Sequence, residues 1–164
     1  MDIELMASLG KFGAMASIAL AAVGSAMGTG TAGMAAIGAW KKCFAQNKTA
    51  PFLLLIFIGA PLTQTIYGMI LMNSIIQVCS AAIAEGAAAE QVQALALNWP
   101  AMISAGVFGG MGMGASAWFQ GKAGAAASDA VADTGKGFGN YLMTIGIVET
   151  VALFVMVFLM INIG

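Results

Sequence analysis

Long apolar stretches separated by short polar breaks set the pattern of this chain. The apolar stretches cover about residues 10–45, 51–83, 97–128 and 137–163. The breaks read QNKTAP at 46–51, EGAAAEQVQ at 85–93 ahead of NWP, and SDAVADTGK at 128–136. A helix needs about 20 apolar residues to cross a bilayer, so each stretch is long enough. The first three are long enough to project beyond the hydrocarbon. The pattern predicts an all-α, transmembrane four-helix protein. A single membrane domain over 1–164 would contain two helical hairpins, 10–83 and 97–163.

Composition agrees. Of the 164 residues 60% are hydrophobic and only 8% charged, against about 25% charged in a soluble domain. There is no Arg and no His, and the net charge is −1, which argues against a nucleic-acid partner. Lack of His also weakens zinc or haem chemistry, and two Cys cannot make a thiolate site alone. The thirteen Met lie scattered along apolar stretches and read as adaptable packing. The start, MDIEL, is acidic where a signal peptide is basic, so it is not read as a cleaved leader.

The lysines give an orientation. Lys41, Lys42 and Lys48 flank the first break and Lys122 and Lys136 the third, while the second break carries Glu85 and Glu90 and no basic residue. An excess of Lys on cytoplasmic loops then puts the 1–2 and 3–4 loops in the cytoplasm and both termini outside.

The helices differ in bulk. Stretch one holds VGSAMGTGTAG and stretch three GVFGGMGMGASAWFQGKAGAAAS, whereas two and four are rich in Leu, Ile, Phe and Met. Gly24/Gly28 and Gly110/Gly114 have the spacing that lets helix backbones approach closely. Helices one and three are therefore expected to be crowded, with two and four turned toward lipid. Four helices offer little partner surface for two such faces; repetition of the unit around a closed ring supplies it.

Chemistry centres on IGIVETVALFVMVFLMIN, residues 145–162, whose one ionisable residue is Glu149. An acid inside a membrane is a functional-site hypothesis by default. No basic residue is placed to pair with it. Thr63, Gln64 and Tyr67 in stretch two and Gln120 in stretch three are its candidate partners. Pro61 cannot donate to Phe57, which leaves carbonyl oxygen available nearby. Hydroxyl, amide, carboxylate and carbonyl oxygens suit a small hard cation; a proton site needs only the acid and few oxygens. Each partner also has a plainer reading. Thr63 and Gln64 could be interhelical hydrogen-bond glue, Tyr67 packing with a satisfied hydroxyl, and Gln120, placed near the cytoplasmic end of helix three, a solvated neighbour of Lys122. The chain also duplicates itself: IGAPLTQTIYGMILM matches IGIVETVALFVMVFL, with Ile58–Gly59 over Ile145–Gly146 or Gln64–Thr65 over Glu149–Thr150. Only the second copy carries the acid.

PLTQTIYG at 61–68, FQGKAGAA at 119–126 and GIVETVAL at 146–153 resemble the V-type rotary ATPase proteolipid, the K (or c) subunit of the membrane rotor, over essentially all four helices. The resemblance is specific for sodium-translocating members. It implies one Na+ per chain, the alternative ion being H+, held by side chains matching Thr63, Gln64, Gln120 and Glu149. The carbonyl before the proline, here Ala60, contributes, and Tyr67 hydrogen-bonds the carboxylate. Ala60 stands where a larger apolar residue is familiar, which matters little if only its carbonyl binds. The resemblance further implies a homo-oligomeric ring, a stator subunit with an essential arginine, central-stalk subunits on the cytoplasmic side and a prokaryotic plasma membrane. The chain itself has no phosphate loop, so ATP chemistry would lie on other subunits. Two other classes compete: a small drug/proton exchanger, whose acid is expected in the first helix, and a non-transporting four-helix scaffold.

Overall fold

The computed structural model describes residues 1–163 and is all-helical, with four segments long and apolar enough to cross a membrane. Helix α1 runs Ile3–Ala45, α2 Leu54–Gly59, α3 Thr63–Ala82, α4 Ala89–Thr134 and α5 Phe138–Ile163, with a 3-10 turn at Ala60–Leu62 joining α2 to α3. At 1.5 Å per residue, α1 and α4 are about 65–70 Å long, roughly twice the hydrocarbon thickness. Glu4 in the first turn of α1 and Lys42 in its last oppose the helix macrodipole with the favourable sign. The chain leaves α1 through Asn47 at φ 51, a conformation Asn accepts more readily than most residues. The Trp40 indole N–H donates to the Pro51 carbonyl at 2.8 Å and holds that loop against α1.

Backbone contact between α1 and α4 is the spine of the molecule. A methyl added to Gly106 would run into the backbone of Gly13, one on Gly24 into Gly114, and one on Gly121 into Gly28. The contacts advance together along both helices, so α1 and α4 run in the same direction and touch for much of their length. Helices α3 and α5 pack on this pair. Leu71, Ile75, Cys79, Leu95, Met102 and Met113 fill one end. Leu54, Phe57, Val131 and Ile145 fill the lysine-rich end, where the Phe57 and Phe138 rings lie 5.3 Å apart. Lys42 pairs with Asp133 there.

The small-residue faces of α1 and α4 are buried against each other within one chain, so they do not need the ring expected to cover them; α3 and α5 expose Ile66, Met69, Ile147, Val151, Phe154 and Phe158. However, α1 and α4 also carry bulk on their other sides: Phe12, Met34, Ile37, Phe108 and Phe119 are all exposed. Bulk is thus spread over all four spans, and crowding belongs to one side of two of them.

Three boundaries differ from the pattern. Helix α1 begins at Ile3 rather than near 10. Helix α4 covers 89–134 rather than 97–128, so part of the polar break ahead of NWP is helical, and Pro100, as the apolar stretch implied, lies inside the helix. AEQVQALAL has high helix propensity, and the Gln91 side chain accepts from the Ala88 N–H at 2.9 Å, capping the start. Pro100 removes one rung of the ladder without ending it. At the far end the polar run SDAVADT stays helical because Ser128, Val131 and Ala132 are buried. The helix stops where Gly135 turns left-handed, φ 66, and its N–H caps Val131, a helix end that glycine favours.

Gly106→Val should destabilise the protein by more than the roughly 1–3 kcal/mol typical of overpacking, since the obstacle is Gly13 backbone rather than a rotatable side chain. Gly38→Ala, where an added methyl meets nothing within 4 Å, should leave the melting temperature in detergent unchanged or raised. Equal losses from the two variants would refute the backbone-contact account.

A candidate ion-binding site around Glu149

The local structure around Pro61 prepares one half of the site. Pro61 is buried and has no N–H, so the helix tightens into a 3-10 turn at Ala60–Leu62 before resuming at Thr63. The Ala60 carbonyl receives the Thr63 N–H and also the Thr63 hydroxyl at 3.0 Å. The same hydroxyl lies 3.2 Å from Gln64 Oε1. Three oxygens, Ala60 O, Thr63 Oγ1 and Gln64 Oε1, therefore sit together at the start of α3.

Helix α4 links this cluster to the acid. Gln64 and Gln120 are both fully buried. The Gln64 amide donates from Nε2 to Gln120 Oε1 at 2.8 Å. Gln120 Nε2 in turn donates to the Ile145 carbonyl at 3.2 Å and to Glu149 Oε2 at 3.3 Å. The other carboxylate oxygen, Oε1, accepts the Tyr67 hydroxyl at 2.8 Å. Glu149 itself is half-buried, with Ile147 and Val151 exposed on either side and Ala152 fully buried one turn on.

All six residues singled out in the sequence, Ala60, Thr63, Gln64, Tyr67, Gln120 and Glu149, thus join one hydrogen-bonded network across α3, α4 and α5. The position of Gln120 differs from the expectation of a helix-end residue. Because α4 continues to Thr134, Gln120 lies 14 residues, or about 21 Å, before its end, inside the bundle. The solvated reading of Gln120 fails on its burial.

Two members were not legible. The Ile145 carbonyl takes part through its backbone, which no side-chain pattern reveals. Ser116, buried one turn before Gln120, donates its hydroxyl to the Val148 carbonyl at 2.8 Å and ties α5 to α4 beside the acid. Its four-residue spacing from Gln120 is the one sequence signal that could have marked it.

Every group touching the carboxylate is neutral. Among the described residues the only ion pair joins Lys42 to Asp133, at the lysine-rich end. The site thus carries one unbalanced negative charge in apolar surroundings, where an isolated charge is costly. It offers amide, hydroxyl and carbonyl oxygens to any cation that neutralises it, a donor set suited to a hard ion.

Gln120→Leu should leave the buried Gln64 Nε2 without an acceptor and remove three contacts, lowering stability by about 2–4 kcal/mol in detergent unfolding. Tyr67→Phe removes one donor to the carboxylate and leaves no buried amide unpaired, so it should cost less, about 1.5 kcal/mol. Comparable losses would place the weight of the network elsewhere.

No curated protein matches the chain. Residues 103–162, which hold Ser116, Gln120, Ile145 and Glu149 and most of the second hairpin, match the family model of the ATP synthase C subunit.

Proposed function

We propose that this chain is the ion-carrying proteolipid of a rotary ATPase or ATP synthase rotor, of the V-type, and that it carries one Na+ per chain at Glu149. The family match over the second hairpin supports a rotor proteolipid. The observation that carries the ion reading is the network itself: one carboxylate, no basic partner, and polar groups delivered to it from three helices. On taking up an ion, a half-turn of the Gln120 amide brings Oε1 to the carboxylate side, and Gln120 then gives up its bonds to Gln64, Ile145 and Glu149 in exchange for the cation. Ala60 O, Thr63 Oγ1, Gln64 Oε1, Gln120 Oε1 and Glu149 can then surround a small cation, with Tyr67 holding the carboxylate from the side.

In this reading, copies of the chain form a closed ring, with the small-residue faces packed inside each unit and apolar faces left for neighbours and lipid. With its ion bound, Glu149 is neutral and can pass lipid; bare, it would meet a large penalty. A stator subunit with an arginine opens the site and exchanges the ion, and central-stalk subunits engage the lysine-rich loops, which lie in the cytoplasm. Moving one charge against 100 mV requires about 2.3 kcal/mol, so a ring of sites allows several ions per ATP. ATP is hydrolysed or made on other subunits. The motif favours a prokaryotic plasma membrane.

Carbodiimide labelling of Glu149 in the purified assembly at mildly acidic pH tests the ion. Sodium, but not potassium, should slow labelling, because the reagent attacks a protonated carboxyl that a bound cation displaces. Labelling that ignores sodium and falls as pH rises would make the cargo a proton and leave Thr63 and Gln64 as helix glue. Glu149→Gln should abolish ATP-driven ion transport in the reconstituted complex while the ring still assembles; surviving transport would return the chain to a scaffold.

A further inference from the structure

On the other flank of the broken helix, two buried hydroxyls are left without partners among the described residues. Ser25 is 2% exposed, and neither its Oγ nor Thr29 Oγ1, also buried, has a hydrogen-bond partner there. Most other helical hydroxyls are paired. Ser8, Thr31, Ser74, Ser128 and Thr144 each return the hydroxyl to the carbonyl four residues back. Ser17, two turns earlier on α1, bonds both its own helix and the Gly68 carbonyl. Ser25 and Thr29 thus forgo the local bond open to any helical hydroxyl, although both oxygens are buried.

Their position follows from the packing of α1 on the second span. Methyls added to Gly68, Gly28 and Gly33 would meet Ala21, Pro61 and Ile58 respectively. Residue numbers rise on one helix as they fall on the other, which sets Ser25 opposite the region of Gln64 and Thr29 opposite Ala60. On a helical projection Ser25 and Thr29 lie beyond the Ala21–Gly28 line, on the side away from α4. Thr65, half-buried, falls on the same flank of α3, whereas Gln64 turns to Gln120 on the other. Ser25 and Thr29 are one turn apart, with Cβ atoms about 5–6 Å from each other. One water with two hydrogen bonds of about 2.8 Å spans that gap, and a buried water needs two to four polar partners.

We propose that Ser25 and Thr29, with Thr65 facing them, hold a single buried water molecule beside the 3-10 turn at Ala60–Leu62, on the side away from Glu149. Helix α1 packs against that turn through Gly28 and Pro61, and the water supplies the polar contact that the two hydroxyls lack. Neither the site nor its test involves Glu149 or an ion, so it stands apart from the functional reading above.

The sign of a stability change decides. Ser25→Ala and Thr29→Val delete only the hydroxyl function. From a dry site, removing an unpaired buried hydroxyl relieves a penalty, so the melting temperature in detergent would hold or rise, and that result overturns the proposal. From a hydrated site each variant should lower it by about 2–4 °C. Thr29→Ser, which keeps the hydroxyl, should couple to Ser25→Ala as the parent does. The double variant should fall little below either single one, since both groups hold the same molecule; fully additive losses would overturn a shared water. Should a variant fail to fold, a water-resolving density map of the unmodified protein decides: a peak between Ser25 Oγ and Thr29 Oγ1 is expected, and an empty gap overturns the proposal.

Discussion

A carboxylate in the middle of an apolar helix must be neutralised by whatever surrounds it, and among the described residues no cation does so. Glu149 is met by a phenol and an amide, groups that orient it but do not balance its charge. Orientation by neutral donors leaves the charge unbalanced, which is what the proposed exchange of an ion requires. A lysine within reach would lock the acid into a structural ion pair; the lysines instead lie beside the loops or, as with Lys122 over the Trp118 ring at 3.9 Å, against aromatic faces on the outside of the bundle.

The rest of the fold can be understood as the scaffold this network requires. Donor and acceptor must meet within hydrogen-bond distance from three separate helices, so the helices cannot slide. The glycine contacts between α1 and α4 provide that rigidity. Backbone against backbone has no rotamers to adjust, and Gly28 touches both Ala117 on α4 and Pro61 on the second span. One glycine thereby sets the 3-10 turn relative to the helix that carries Gln120. Ser116, bonded to the Val148 carbonyl, does the same for α5. The polar network and the small-residue spine are mutually dependent, since even a small displacement in the spine would lengthen hydrogen bonds already at 3.2 and 3.3 Å.

Much of this was legible in the sequence, because a membrane penalises polar residues strongly enough that each one left in an apolar stretch is informative. That logic picked out Thr63, Gln64, Tyr67, Gln120 and Glu149, and the four spans emerged from hydropathy alone. It failed where the signal is not a side chain in an apolar run. The polar segment at 89–96 looked like loop, although its alanines, Glu90 and Gln91 favour helix. The Ile145 carbonyl is backbone and has no sequence signature. Ser25 and Thr29 were hidden among Gly and Ala, where a hydroxyl reads as one more small residue. Their lack of partners is visible only once α3 is placed against them.

The duplication gains a physical meaning from Gln120. In the register that aligns Gln64 with Glu149, the two hairpins bring corresponding residues to opposite ends of one amide: Gln120 Oε1 accepts from Gln64, and Gln120 Nε2 donates to Glu149. An amide can serve two partners in this way only when one supplies a proton and the other accepts one. An ionised acid at position 64 would have no proton to give Gln120 Oε1, and it would add a second negative charge to a site with no cation. Glutamine there supplies the donor and keeps an oxygen for Thr63. The asymmetry between the two hairpins is therefore what allows a single bridging amide to hold them together around a single charge.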